Sequence, residues 1–174
     1  MKKKQYKTFF AASVTCLVTA YLFNPTARAQ DKDQAELAKA LQGVKTTLEQ
    51  GLAASAGGGT PISGKFEVEE GKLQLSVYTM KGDKFAEVIV DHATGKVAKT
   101  EAITSGDDLG AAKSQSAAMA KAKRSLREAT ARAVKANGGS RAVSVMPALS
   151  AGRPIATITL LQGQTFKTVM EPLD

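Results

Sequence analysis

The sequence predicts an α+β protein, built as a tandem repeat of one helix packed on a small antiparallel β-sheet. Three observations carry that prediction. Apolar residues recur first every three or four positions and then every second position. Short glycine-bearing turns separate the alternating stretches, and strands joined by short turns run antiparallel. The order of helix, glycine stop and strands then returns about 81 residues further on. A single helix can bury one face of one sheet, so each copy implies a two-layer unit.

The chain opens MKKKQYKTFFAASVTCLVTAYLFNPTARAQ, with Lys2, Lys3, Lys4 and Lys7 ahead of an uncharged run over 9–23. Ala27 and Ala29 supply the small residues that a signal peptidase reads. Residues 1–29 are therefore expected to be a signal peptide, cleaved between Ala29 and Gln30, leaving a periplasmic or secreted protein. The alternative is an uncleaved anchor, but the run falls short of the roughly 20 residues a spanning helix needs. No second apolar run follows, so the mature form is expected not to span a membrane.

Removing the leader changes the chemistry. Five of the 24 cations lie in it (Lys2, Lys3, Lys4, Lys7 and Arg28), leaving 19 against 16 anions, or +3 instead of +8. Cys16, the only cysteine, also leaves, which excludes disulfides and thiolate metal sites. Four aromatic residues remain, Phe66, Tyr78, Phe85 and Phe166, so the core must be aliphatic.

The first repeat is expected over 30–103. Leu37, Leu41, Val44, Leu48 and Leu52 fall on one face of a helix over 31–55, which Gly57-Gly58-Gly59-Thr60-Pro61 ends. KFEVE, LQLSV, KFAEVIVD and GKVAKTEAI then read as four strands. A linker follows over 104–111, where TSGDDLG is rich in Ser, Gly and Asp.

The second repeat is expected over 112–174. AAMAKAKRSLREATARAVKA reads as one helix with Met119, Ala122, Leu126, Ala129 and Ala133 inward, and Gly138-Gly139 stops it. RAVSV, RPIATITLL and QTFKTVME read as strands, with no fourth strand in this copy. Gly71-Lys72 matches Gly152-Arg153 at a spacing of 81, as Gly82, Phe85 and Val88 match Gly163, Phe166 and Val169. Ala38-Lys39-Ala40 matches Ala120-Lys121-Ala122 at 82.

Asp91-His92-Ala93-Thr94-Gly95 holds the only histidine. Asp91 suits the first position of a turn, Thr94 can add a hydroxyl contact to the backbone, and Gly95 suits the left-handed position that closes it. His92 is then expected at a hairpin tip, without the nucleophile and orienting group that a general base requires. This stretch also carries a resemblance. A helix, a glycine stop, the strands of EEGKLQLSVYTMKGDKFAEVIV and then VDHATGKV are similar to a PepSY domain. The match covers about 31–103, with a weaker, degenerate copy over 112–174 that lacks the Asp-x-x-Thr-Gly turn. The resemblance implies a small α+β fold of exported bacterial proteins and of metallopeptidase propeptides, associated with restraint of peptidase activity. It supplies no catalytic residue. Asp91, Thr94 and Gly95 transfer only as turn positions.

Other motifs fail on chemistry. GTPISGKF nearly fits a phosphate loop, but Phe66 stands where magnesium needs a hydroxyl, and the order is helix, loop, strand instead of strand, loop, helix. No nucleophilic serine motif occurs, and no acidic loop has calcium spacing. Lys121, Arg124, Arg127, Arg132 and Lys135 make the second helix basic. They read as a solvated face, with Glu128 and Arg132 paired, or as a contact for an anionic envelope component. Nucleic acid is not expected as a partner, because stacking aromatics are scarce.

The expectation is a non-enzymatic binding or regulatory protein of the bacterial cell envelope, without catalytic residues, cofactor or metal ligands, acting on a protein partner such as a peptidase. Strand addition to an open sheet edge would supply the contact. The alternative is a metal-ion or small-ligand carrier using a cleft between the repeats.

Overall fold

The computed structural model describes residues 25–174. Most of the expected leader thus lies outside the described residues, and the Ala29–Gln30 bond falls within the first helix. The described chain is α+β. It runs α1 (Pro25–Ala40), α2 (Leu48–Ser55), β1 (Thr60–Glu69), β2 (Lys72–Lys81), β3 (Lys84–Val90), β4 (Val97–Ile103), α3 (Gly106–Met119), α4 (Leu126–Ala136), β5 (Arg141–Ser150), β6 (Arg153–Gln162) and β7 (Thr165–Pro172).

Instead of a small sheet in each half, all seven strands share one antiparallel sheet in the order β4-β3-β2-β1-β5-β6-β7. The join is the β1–β5 ladder, where Gly64 faces Val145 and Lys65 faces Ser144. The registers on its two sides correspond. Glu69↔Lys72 and Ser150↔Arg153 close the first hairpin of each half, and Lys81↔Lys84 and Gln162↔Thr165 close the second, each 81 residues apart. The β1–β2 register shifts between Pro61 and Ser63, and the β5–β6 register shifts at the same relative place, between Ala142 and Ser144. Gly64 and Val145, which pair with each other, are themselves 81 apart, so the correspondence is centred on that pair.

Strand alternation gives the sheet one apolar and one polar face. One transverse row of partners reads Thr100, Val88, Val77, Gly64, Val145, Ile158 and Val169. Its neighbour reads Lys99, Ile89, Ser76, Lys65, Ser144, Thr159 and Thr168. α2 and α4 cover the apolar face, where Leu48, Leu52, Leu126, Ala129 and Ala133 join the sheet valines in one core. Gly64 permits this approach: a Cβ there would lie 3.3 Å from both Leu48 Cδ1 and Leu52 Cδ2.

Each helix expected as one is two. The first breaks between Ala40 and Leu48, and the second between Met119 and Leu126. A capping box starts each later helix. Thr47 accepts from the Gln50 amide while Gln50 Oε1 accepts from the Thr47 amide, and Ser125 and Glu128 do the same at α4. The helical correspondence is therefore 78, not the 82 expected from the Ala-Lys-Ala match. Leu48, Gly51, Leu52 and Ser55 are buried in α2, and Leu126, Ala129, Thr130 and Ala133 in α4. The apolar spacing nonetheless marked inward residues: Leu37, Leu41, Val44, Met119 and Ala122 all pack on the same core.

The stretch expected as a linker begins a helix. α3 starts at Gly106, and Asp107 and Asp108 lie in its first turn, where carboxylates offset the exposed amides. Its Ala112, Leu109 and Met119 pack with Ile62, Tyr78, Phe85, Met80 and Ile103 in a second apolar cluster. By alternation, Tyr78, Phe85 and Ile103 belong to the polar face, so α3 covers one end of it. Ser63 Oγ donates to Gln115 Oε1 over 2.8 Å there.

Thr47→Ala and Ser125→Ala should each lower the unfolding free energy by about 1 kcal/mol. Leu126→Ala, which empties a fully buried site, should cost about 2–5 kcal/mol. Urea denaturation followed by circular dichroism checks all three.

Candidate functional site

The structure places the sequence-derived candidates around two regions, the β3–β4 turn and the outer strand β7. At the turn, Asp91 Oδ1 accepts from the amides of Ala93 (2.8 Å) and Thr94 (2.9 Å). The Gly95 amide donates to the Asp91 carbonyl at 2.7 Å, and Gly95 has φ 70. Thr94 Oγ1 accepts from the Lys96 amide. The amides of Thr94 and Ala93 hold the Asp91 carboxylate below its ordinary pKa. His92 is half-exposed in this turn. A cavity of about 350 Å³ lies beside it, lined by Lys45, Thr46, Gln50, Ala93, Thr94 and Gly95.

The basic residues do not form one helical stripe. Lys121 and Arg124 lie in the α3–α4 connection, while Arg127, Arg132 and Lys135 lie on α4. Two of the five reach β7, and a third reaches the β5–β6 turn. Arg124 Nη1 donates to the Pro172 carbonyl at 3.0 Å, Lys121 Nζ reaches the Gly152 carbonyl at 3.5 Å, and Arg132 Nε meets Glu171 Oε2 at 3.5 Å. The expected Glu128–Arg132 pair does not form, because Glu128 is used by the Ser125 cap. Lys167 on β7 donates to Asn137 Oδ1 at 2.8 Å. The flank of β7 is thus lined with cations, and Met170 on that strand is 70% exposed.

Two features had little or no sequence signal. Arg141 joins the two halves: Nη1 donates to the carbonyls of Leu41 and Val44, and Nη2 to that of Thr46, at 3.0–3.1 Å. Its guanidinium carbon lies 5.3 Å from the Phe66 ring centre, a cation–π arrangement. Partners nearly a hundred residues away leave no local pattern. On the polar face, Ser76 Oγ donates to Glu67 Oε1, and Lys65 meets Glu67 at 2.6 Å. Glu87 lies in the same patch. Burial pushes its carboxyl above the ordinary range and the Glu67 charge adds to this, while a hydrogen bond with Ser76 opposes it. Alternation in KFEVE and LQLSV marked these as solvent-face positions, but not as a connected group. The missing fourth strand of the second half, by contrast, was legible in the sequence: β7 has no neighbour on its outer side among the described residues, whereas β3, its counterpart 81 residues earlier, is covered by β4.

Among the described residues, no helix is long and apolar enough to cross a membrane, and no three His, Cys, Asp or Glu side chains converge as metal ligands. Comparison with family models, curated proteins and solved structures gives no match in any of the three.

Arg141→Met keeps the stem but removes the donors to three carbonyls, and should cost about 1–3 kcal/mol in urea denaturation. Glu87→Gln should raise the thermal midpoint at pH 7. A carboxyl whose folded pKa is raised contributes its stability below the unfolded value and loses it as pH rises through the folded one. The gain should therefore disappear below about pH 4. Midpoints measured from pH 3 to 8 check the sign.

Proposed function

We propose that this chain is a non-enzymatic binding or regulatory protein of the bacterial cell envelope, exported by its leader and made of two copies of a PepSY-like unit. Its outer strand β7 takes up an extended segment of a protein partner. The observation that carries this reading is the asymmetry of the sheet. β3 and β7 occupy corresponding positions, yet among the described residues only β3 has a strand on its outer side.

An unpaired edge presents backbone donors and acceptors that an incoming strand can satisfy. The other outer strand, β4, carries Lys99 and Glu101, as β7 carries Lys167 and Glu171, so charge alone does not separate the two edges. β7 offers exposed Met170 for apolar contact, and Arg124, Arg132 and Lys167 beside it favour a segment carrying acidic residues. The resemblance to PepSY domains makes a peptidase the first partner to test. The carrier alternative has no comparable observation, because the β1–β5 ladder and a continuous core fill the space between the halves.

A photo-crosslinking residue at Met170 should capture a discrete protein from envelope extract, while the same residue at Val97 on β4 should not. The Met170 adduct should diminish when Arg132 and Lys167 are changed to Glu. Equal capture from both strands, or none from Met170, would refute edge addition at β7.

A further inference from the structure

Strand β7 is complementary to itself. The pair Gln162↔Thr165 closes the two-residue turn at Gly163-Gln164, so the β6–β7 ladder starts there with a hydrogen-bonded pair. By alternation, the backbone groups of Lys167, Val169 and Glu171 point inward to β6, and those of Phe166, Thr168 and Met170 point outward. The side chains of Lys167, Val169 and Glu171 share the face that α4 covers. Val169 packs on the core, Lys167 Nζ donates to Asn137 Oδ1 and Glu171 meets Arg132. A lysine and a glutamate thus flank Val169 symmetrically on one face. They stand about 13 Å apart along the strand, too far to pair with each other. Among the described residues, Lys167 meets no carboxylate. The charges of β4 differ in this respect, because Lys99 already pairs with Glu101 at 2.8 Å.

We propose that β7 pairs with β7 of a second copy of this chain, antiparallel about a two-fold axis through Val169. The inference rests on the reading of β7 as an open edge and names the segment that the edge takes up. In this register Lys167 faces Glu171 of the second copy, and Glu171 faces Lys167 of the second copy. Two ion pairs form that a single strand cannot make. Thr168 faces Met170 of the second copy and exchanges both backbone hydrogen bonds with it, which covers a side chain otherwise 70% exposed. Pro172 has no amide to donate, and it falls at the end of the new ladder, where a missing bond disturbs least. A shift of two residues either way sets Lys167 against Val169 or Leu173 of the second copy, so the charges select one register. The contact is isologous, and an axis normal to the sheet keeps the helices of both copies on one side.

The test is sedimentation equilibrium of the purified chain from Gln30 onward. An interface one strand wide is below the standard size, so a dimer with a micromolar Kd is expected within a range of about 1–1,000 µM. Lys167→Glu and Glu171→Lys each set like charges across the axis, and each should weaken the dimer at least about tenfold. Mixed in equal amounts, the two variants should associate about as tightly as the unchanged chain, since each supplies the charge the other lacks. Lys99→Glu on β4 should leave the dimer as it is. If a β7 variant loses its fold by circular dichroism, the unchanged chain is compared at about 0.05 and 0.5 M NaCl instead, and its dimer should weaken about threefold or more at the higher salt. A chain that stays monomeric throughout, a dimer indifferent to the β7 variants or to salt, a mixture that fails to associate, or a dimer broken by Lys99→Glu would overturn the proposal. Capture of a foreign protein at Met170 by a chain that is monomeric when pure keeps edge addition and refutes the second copy. A pure dimer with no foreign capture does the reverse, so the two ideas fail separately.

Discussion

The pairing of β1 with β5 is the contact on which the molecule depends. It is short, with Gly64 facing Val145 and Lys65 facing Ser144. It nevertheless merges two meanders into one sheet and so lets one apolar core run beneath both α2 and α4. Gly64 sits at its centre with no side chain, and the space is taken by Leu48 and Leu52 of the overlying helix. A side chain there would have to displace methyl groups that are themselves fully buried. The position is thus constrained by close approach of a helix to a strand, not by turn geometry. Without the ladder, β1 and β5 would each be an exposed edge, and the valines on either side would lose their shared cover.

Arg141 reinforces the same join from the side. It begins β5, yet its guanidinium binds three carbonyls of the α1–α2 connection and lies over Phe66 of β1. Those carbonyls belong to the segment between α1 and α2, where only that of Leu41 also accepts from a nearby amide, that of Val44. A single fork of donors therefore satisfies backbone groups in one half from a residue of the other.

Function, on this reading, lies where the two halves differ. Corresponding frameworks hold α2 and α4, the first two hairpins and even the register shift in the first strand. They diverge at their ends. One half continues through the Asp91 turn into β4, and the other ends its last strand against the α3–α4 connection through Leu173. Among the described residues, these differences leave the outer edge of β7 without a strand partner.

The pattern of residues alone determined the class, the seven strands, their antiparallel sense, the inward residues and the turn chemistry of Asp91 and Gly95. All of these follow from local periodicity and from the conformational preferences of single residues. It also contained the two helix breaks, as Thr-x-x-Gln and Ser-x-x-Glu, although an unbroken apolar spacing hid them. Val44 and Ala122 keep helical phase across the two breaks because the same core lies beneath the segments on either side. Only the tertiary structure decided that the halves share a sheet, that Arg141 bridges them, that α3 crosses to the polar face and that Arg124 and Arg132 turn toward β7. Each of these is a contact between residues far apart in the chain, where the deciding quantity is the shape of a partner surface that exists only after folding.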